Sequence, residues 1–269
     1  MTIYEQMLAR YGEQDRKAHL EVMQQIALAG LYRAGFFEHA AFYGGTCLRI
    51  FHGLNRFSED MDFSLLQKEK NFDFEQFFPS IINEFEIAGR TVEITKKDKR
   101  NFGKVESAFL KDTTEVYSLT FQYEKNLKIK MEVDTDPPLL FNTEQRLLLL
   151  PFSFMTRCFS LPDLFAGKMH ALVFRGWKNR VKGRDWYDFE WYVRKGVKLN
   201  WEHLHERILQ FNGKNISREQ FIILLEEKLT SADINQAKAD VVNFIVNPQK
   251  LEIWSNDYFL QLSKMMLFE

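Results

Sequence analysis

A short apolar run, Ala40 to Tyr43, ends on two glycines and a threonine, and after a helix-length interval comes Asp60-Met61-Asp62-Phe63. Few folds accommodate this order. A strand that stops on Gly44-Gly45 turns sharply, because glycine enters backbone regions closed to other residues. Thr46 then reads as the N-cap of a helix over Cys47–Phe51. Asp60 to Leu65 alternates polar and apolar as a half-buried strand does, so Asp60 and Asp62 share one face and Met61 and Phe63 the other. Two neighbouring carboxylates on a strand repel, and a divalent cation between them removes the cost; all-carboxylate ligation suits Mg²⁺ or Mn²⁺ rather than zinc. Gly44, Gly45 and Thr46 let the backbone approach a phosphate, with the helix's free N–H groups and positive dipole end behind them. Phosphate at the turn and metal at the strand make a nucleotidyl-transfer layout; the plain alternative is a helix cap beside a solvated acidic turn.

A third carboxylate from a neighbouring strand commonly completes a two-metal site. In "LKIKMEVDTDPP", Lys128, Lys130, Glu132 and Asp134 alternate with Ile129, Met131 and Val133. Glu132 is the first choice and Asp134 the reserve; the plain alternative is an ordinary half-exposed strand with paired Lys and Glu. Further on, "DLFAGKMHALVFRGWKNRVKGRDWYDFEWYV" carries Lys168 and Arg175 on one helix face, then Arg180, Lys182 and Arg184, with Asp185 and Asp188 a helical i, i+3 step apart. Such cations can neutralise a triphosphate. They also suit a solvated basic linker, and the interleaved Phe174, Trp177, Trp186, Tyr187, Trp191 and Tyr192 suit core packing more than base stacking.

Composition narrows the class. With 269 residues, 45% hydrophobic and 27% charged, the chain reads as globular, in one large domain or two modest ones. A net charge of −1 gives no general attraction to polyanions, so any nucleic-acid site is a local patch. No stretch approaches the roughly 18 apolar residues of a membrane span. Two cysteines without a CxxC pair indicate neither zinc nor a disulfide framework, and a reducing cytoplasm fits. His39, His52, His170, His203 and His205 have no metal spacing and read as structural or surface residues.

Helical periodicity covers Asp15–Leu31, with Gly35 as its stop, and Phe74–Ala88 before Gly89. Thr91 to Asp134 is β-rich, with a hairpin of Val116–Tyr123 and Leu127–Asp134 turning at residues 124–126. Beyond Leu161 helices are expected over Asp163–Phe174, Arg184–Arg194, Trp201–Phe211, Ser217–Leu229, Ile234–Val246 and Ser255–Phe268. The fold class is α+β: a mixed-sheet domain over 1–160, and a helical domain over 161–269 that is expected to bring Lys, Arg and Asp to a cleft.

In order, "GGTCLRIFHGLNRFSEDMDFSL", "KIKMEVDTDPP" and "DLFAGKMHALVFR…RVKGRDWYD" resemble the AbiEii/AbiGii nucleotidyltransferase toxins, a branch of the DNA polymerase beta-like superfamily. The likeness spans about residues 15 to 195. It implies a nucleotidyltransferase domain followed by helices, Mg²⁺-dependent use of an NTP, an RNA acceptor of the tRNA kind, and the role of toxin in a toxin–antitoxin or abortive-infection system with a cognate antitoxin. By this resemblance Gly44, Gly45 and Thr46 are the phosphate turn, Asp60 and Asp62 the metal pair, Lys168 the family lysine, and Asp185 or Asp188 its late aspartate. The family turn often carries serine after glycine, where Gly45-Thr46 stands here. A metal-dependent nuclease is disfavoured because it needs no triphosphate cradle. A nucleotide-binding module on a degenerate transferase fold is disfavoured by the intact Asp60 and Asp62.

Overall fold

The computed structural model describes residues 1–12, 14–97, 114–122, 127–175 and 181–269. The chain forms two compact units, Met1–Phe51 with Glu59–Pro137 and Thr143–Cys158, and His52–Ser58 with Pro138–Asn142 and Phe159–Glu269.

The first unit is α+β. Its helices are α1 (Ile3–Leu8), α2 (Arg16–Arg33), α3 (Gly44–His52) and α4 (Phe78–Ile87), and its strands are β1 (Ala40–Tyr43), β2 (Met61–Leu65), β3 (Val92–Lys96), β4 (Thr114–Phe121), β5 (Lys128–Asp134), β6 (Thr143–Leu148) and β7 (Phe154–Phe159). They build one mixed sheet in the order β3-β4-β5-β2-β1-β7-β6. At its centre β2 runs antiparallel to β1 and parallel to β5, and β1 runs parallel to β7. Asp15 caps α2 by accepting from the amides of Lys17 and Ala18, and Gly35, at φ 75°, follows its end. Much of the phenylalanine goes into one core: the Phe36 ring lies 5.2 Å from Phe63, 5.2 Å from Phe74 and 5.1 Å from Phe77.

The second unit holds α5 (Leu161–Phe174), α6 (Gly183–Arg194), β8 (Lys198–Leu199), α7 (Trp201–Asn212), α8 (Arg218–Ser231), α9 (Ile234–Val241), α10 (Asn256–Ser263) and β9 (Leu267–Phe268). Among the described residues no helix is long and apolar enough to cross a membrane.

Several elements depart from the sequence pattern, each for a local or tertiary reason. α3 starts at Gly44 rather than Cys47. The expected helix over 74–88 opens as a 3₁₀ turn, Glu75–Phe77, with Pro79 in the first turn of the α-helix proper, where its missing N–H costs nothing. β6 and β7 are additional to the sequence pattern; β6 is an edge strand without a buried residue, so its sequence carries no core-facing alternation. α9 ends at Val241 because the chain beyond it pairs elsewhere: Ile245 bridges Arg56, and Phe57 donates to the Phe244 carbonyl at 2.7 Å. α10 stops at Ser263, since the final residues extend beside β8, where Glu269 donates to the Leu199 carbonyl at 3.0 Å. The hairpin of β4 and β5 forms as expected, while its turn at 124–126, with Tyr123, lies outside the described residues.

Candidate active site

The turn between β1 and α3 is built against the acidic strand. Gly44 sits at φ +81°, and a Cβ there would lie 2.1 Å from Asp62 Oδ2. Any side chain at this position is excluded twice, by the backbone angle and by the carboxylate. Thr46 is fully buried and its hydroxyl donates to the Asp60 carbonyl oxygen. It therefore lies inside the first turn of α3 and staples it to the chain entering β2, instead of capping the helix. Gly45, half-buried, is the second residue of that turn.

At the entry to β2 the expected alternation holds, with Met61 and Phe63 buried and Asp62, together with Asp60 just before the strand, half-buried, while Ser64 and Leu65 beyond are both buried. Asp62 is the direct register partner of Glu132 on β5, so the two carboxylates stand side by side on one face. Lys130, one pleat back, places its ammonium 2.5 Å from Glu132 Oε1. Burial opposes the charge on Lys130, but Glu132, and more weakly Asp60 and Asp62, hold its pKa above the ordinary lysine value. Three carboxylates and one lysine thus form a single electrostatic cluster. Asp134, the reserve, faces Ser64 two rungs on, where its carboxylate accepts from the Asp136 amide at 3.2 Å at the turn into Pro137-Pro138. It is only 5% exposed.

Does this cluster fit a divalent cation? Among the described residues no three His, Cys, Asp or Glu side chains converge as a ready-made metal set. The donor chemistry does fit: half-buried carboxylate oxygens on neighbouring strands, with a lysine offsetting their mutual repulsion.

The second unit gathers the later motif. Lys168 Nζ on α5 lies 2.8 Å from Asp185 Oδ1 and 2.8 Å from Asp188 Oδ2 on α6, and Arg175 Nη1 reaches Asp185 Oδ2 at 2.9 Å. Arg56 closes the cluster with a two-pronged grip on Asp188, Nε to Oδ1 at 2.5 Å and Nη2 to Oδ2 at 2.6 Å. Burial alone would raise both aspartates. Arg175, Lys168 and Lys182 instead hold Asp185 far below the carboxylate range, and Arg56 with Lys168 lowers Asp188. Lys182 is pulled down to about 8, by its burial first and by the charge of Arg175 next. Arg184 lies over the Phe244 ring, 4.2 Å from its centre. Arg180 and Trp177 lie outside the described residues.

The description "Nucleotidyl transferase AbiEii toxin, Type IV TA system" belongs to the family whose profile matches residues 26–264 of this chain. The chain belongs to that family. Membership makes it a nucleotidyltransferase toxin of a type IV toxin–antitoxin system, which implies an NTP substrate and a cognate antitoxin. Solved structures share the fold. JHP933 from Helicobacter pylori aligns with a TM-score of 0.54 at 18% identity, covering 93% of this chain and 90% of that one. MenT4, a nucleotidyltransferase toxin from Mycobacterium tuberculosis, aligns with a TM-score of 0.53 at 14% identity, covering 98% and 96%. No curated protein sequence matches.

In this AbiEii-family chain, Arg56 is the residue that sequence reasoning passed over. Its signal was present: an arginine between Leu54 and Phe57, both buried, must find a partner inside. His203 is buried with Nδ1 2.8 Å from the Leu139 carbonyl, and burial, then Arg207, push its pKa to about 3. Tyr192 stacks on Phe165 and Trp186 meets Phe259 edge-on, so these aromatics pack the helical core.

Proposed function

We propose that the chain transfers a nucleotidyl group from a nucleoside triphosphate to a hydroxyl of an RNA acceptor, with tRNA the first acceptor class to test, and that Asp60, Asp62 and Glu132 hold Mg²⁺ or Mn²⁺. The observation that carries this reading is the contact of the Asp62 carboxylate with Gly44. It sets an anion against the first turn of α3, whose free N–H groups and dipole attract phosphate. Two anions at one helix terminus call for a cation, and Asp62, Glu132 and Asp60 have the oxygen ligands to keep one there.

In the reaction the acceptor hydroxyl attacks the α-phosphorus, the bond to the β-phosphate oxygen breaks, pyrophosphate leaves, and the hydroxyl proton passes to solvent or a carboxylate. When bound, the divalent ion supplies charge neutralisation at the phosphate oxygens. The protein's share is positioning. Gly44 and Gly45 expose backbone, Thr46 fixes α3 to β2, and Lys130 restrains Glu132. Lys168, the lysine that the family resemblance singles out, is the residue of the helical unit proposed to serve the transfer, and Asp185 and Asp188 take two of its three N–H groups. Asp185 acts through Lys168 and Arg175.

The test is incubation with Mg²⁺, each labelled NTP in turn, and total RNA. A labelled RNA band with one donor is expected. Nucleotide binding by calorimetry without any labelled product would make the chain a binding module, and shortened RNA without label would make it a nuclease.

A further inference from the structure

We propose that a cavity of about 300 Å³ formed wholly by the helical unit binds one phosphate-bearing nucleoside of a single-stranded RNA. The inference rests on the reading that the acceptor is RNA. One face of α6 supplies most of the lining: Tyr187, Glu190, Trp191 and Arg194 recur at helical spacing, followed by Lys195, with Lys250 from another segment.

The charges there are not equivalent. Glu190 is neutralised within the protein, accepting from Arg194 Nη1 at 3.2 Å and from Trp254 Nε1 at 2.7 Å. Arg194 is thereby engaged as well. Lys195 and Lys250 have no carboxylate within ion-pair distance among the described residues, and both are exposed. Lys195 sits over the Trp191 ring, 5.7 Å from its centre, and the Tyr187 hydroxyl donates to the Asn55 carbonyl at 3.5 Å, which holds that ring in the wall. The result is a small concavity with two ammonium groups that no carboxylate pairs, Lys195 resting on the Trp191 ring, with Tyr187 and Trp191 in its wall and no uncompensated carboxylate.

That combination selects its ligand. Two ammoniums favour a phosphate, and the aromatic wall favours a planar, weakly polar body beside it, the pairing by which single-stranded nucleic acid is held. A volume at the small end of ligand pockets admits one such unit, and a duplex has no flipped-out base to offer. A free nucleoside monophosphate has the same chemistry as a strand, but a strand adds neighbouring phosphates and binds more tightly.

The test measures binding alone, without NTP, so it stands or falls independently of transfer. A fluorescent single-stranded RNA of mixed sequence is titrated by anisotropy, and nucleoside monophosphates by calorimetry, against wild type and the Lys195→Gln/Lys250→Gln double variant over a range of salt. Lys214→Gln/Lys264→Gln, an equal charge change at exposed lysines elsewhere in the helical unit, is the control. The expected result is tenfold or greater weakening for the cavity variant and less than twofold for the control. The slope of log affinity against log salt should shrink by about 0.7 for each phosphate that the variant no longer neutralises. Equal weakening in both variants, or affinity within twofold of wild type for the cavity variant, would overturn the proposal. Monophosphate binding that depends on both lysines with no strand binding would overturn the assignment to RNA.

Discussion

Replacing Gly44 by alanine tests whether the glycine turn and the acidic strand are one structure. Two costs are separable. A non-glycine residue held in the left-handed region costs about 1–2 kcal/mol. The new Cβ also meets Asp62 Oδ2 at 2.1 Å and the Asp62 Cβ at 3.1 Å, so the carboxylate must move off the turn, an overpacking cost of about 1–3 kcal/mol. Gly44→Ala is therefore expected to cost about 2–5 kcal/mol of stability. Gly196 calibrates the first part, since it too has positive φ, +66°, but no heavy atom within 4 Å of its would-be Cβ. Gly196→Ala should cost only about 1–2 kcal/mol. Urea unfolding followed by far-ultraviolet circular dichroism gives both values. The decisive quantity is the coupling in a double-mutant cycle. Asp62→Ala removes the obstructing oxygen, so Gly44→Ala should cost about 1–3 kcal/mol less in that background than in wild type. Costs that add to within about 0.5 kcal/mol in the cycle would mean that Asp62 does not lie on Gly44, and the site as described would be wrong.

Three further outcomes are expected. Glu132→Gln should lose most of the transfer activity while Asp134→Asn keeps a measurable part, because Asp134 is occupied at the turn into the prolines; rates with each RNA and donor rank the two, and the reverse order moves the role to Asp134. Lys168→Ala should lower turnover by orders of magnitude and also destabilise the helical unit, because its ammonium joins two buried carboxylates, whereas wild-type turnover in the folded variant would return Lys168 to a purely structural role. Asp188→Asn, which leaves Arg56 without its ionised partner, should cost about 3–5 kcal/mol, read by tryptophan fluorescence, since all five tryptophans follow Phe159 in the chain. The pH dependence follows from the direction of the shifts. Asp185 and Asp188 have folded pKa values below their unfolded ones, so their stabilisation is complete above about pH 4 and is lost as pH falls below it. Acid titration of wild type should show this loss, and Asp188→Asn should show a shallower slope; equal slopes would contradict the buried network.

What the sequence revealed followed from short-range rules. Alternation set Asp60 and Asp62 on one face and Glu132 on one face of its own strand, while the register that sets Asp62 opposite Glu132 is a property of the folded sheet. Helical spacing put Lys168 and Arg175 on one face, and both do reach Asp185. What escaped it depended on distant partners. Thr46 looks like a cap in isolation, and only the approach of the Asp60 carbonyl gives its hydroxyl another acceptor. Arg56 stands between apolar residues, which marks it for a buried partner, but that this partner is Asp188, 132 residues away, needs the folded chain. The end of α10 was overrun because Leu267 and Phe268 satisfy helical spacing locally, yet pair with Lys198 and Leu199. Paired Lys and Glu on this strand is the plain alternative that the sequence offers, and Lys130 does pair with Glu132; what needs the folded sheet is that the pair lies within the field of Asp60 and Asp62.

If the paired carboxylates of β2 are the catalytic centre, one comparison tests them most directly. Wild type and Asp62→Asn, which keeps the side-chain shape but removes the charge, are given the same labelled NTP, total RNA and Mg²⁺, with folding of each checked by circular dichroism. Labelled RNA is predicted from wild type, with a rate at least about a hundredfold lower for Asp62→Asn at unchanged fold, the order of effect expected when charge stabilisation at the reacting phosphate is removed. Equal rates for the two proteins would contradict the assignment.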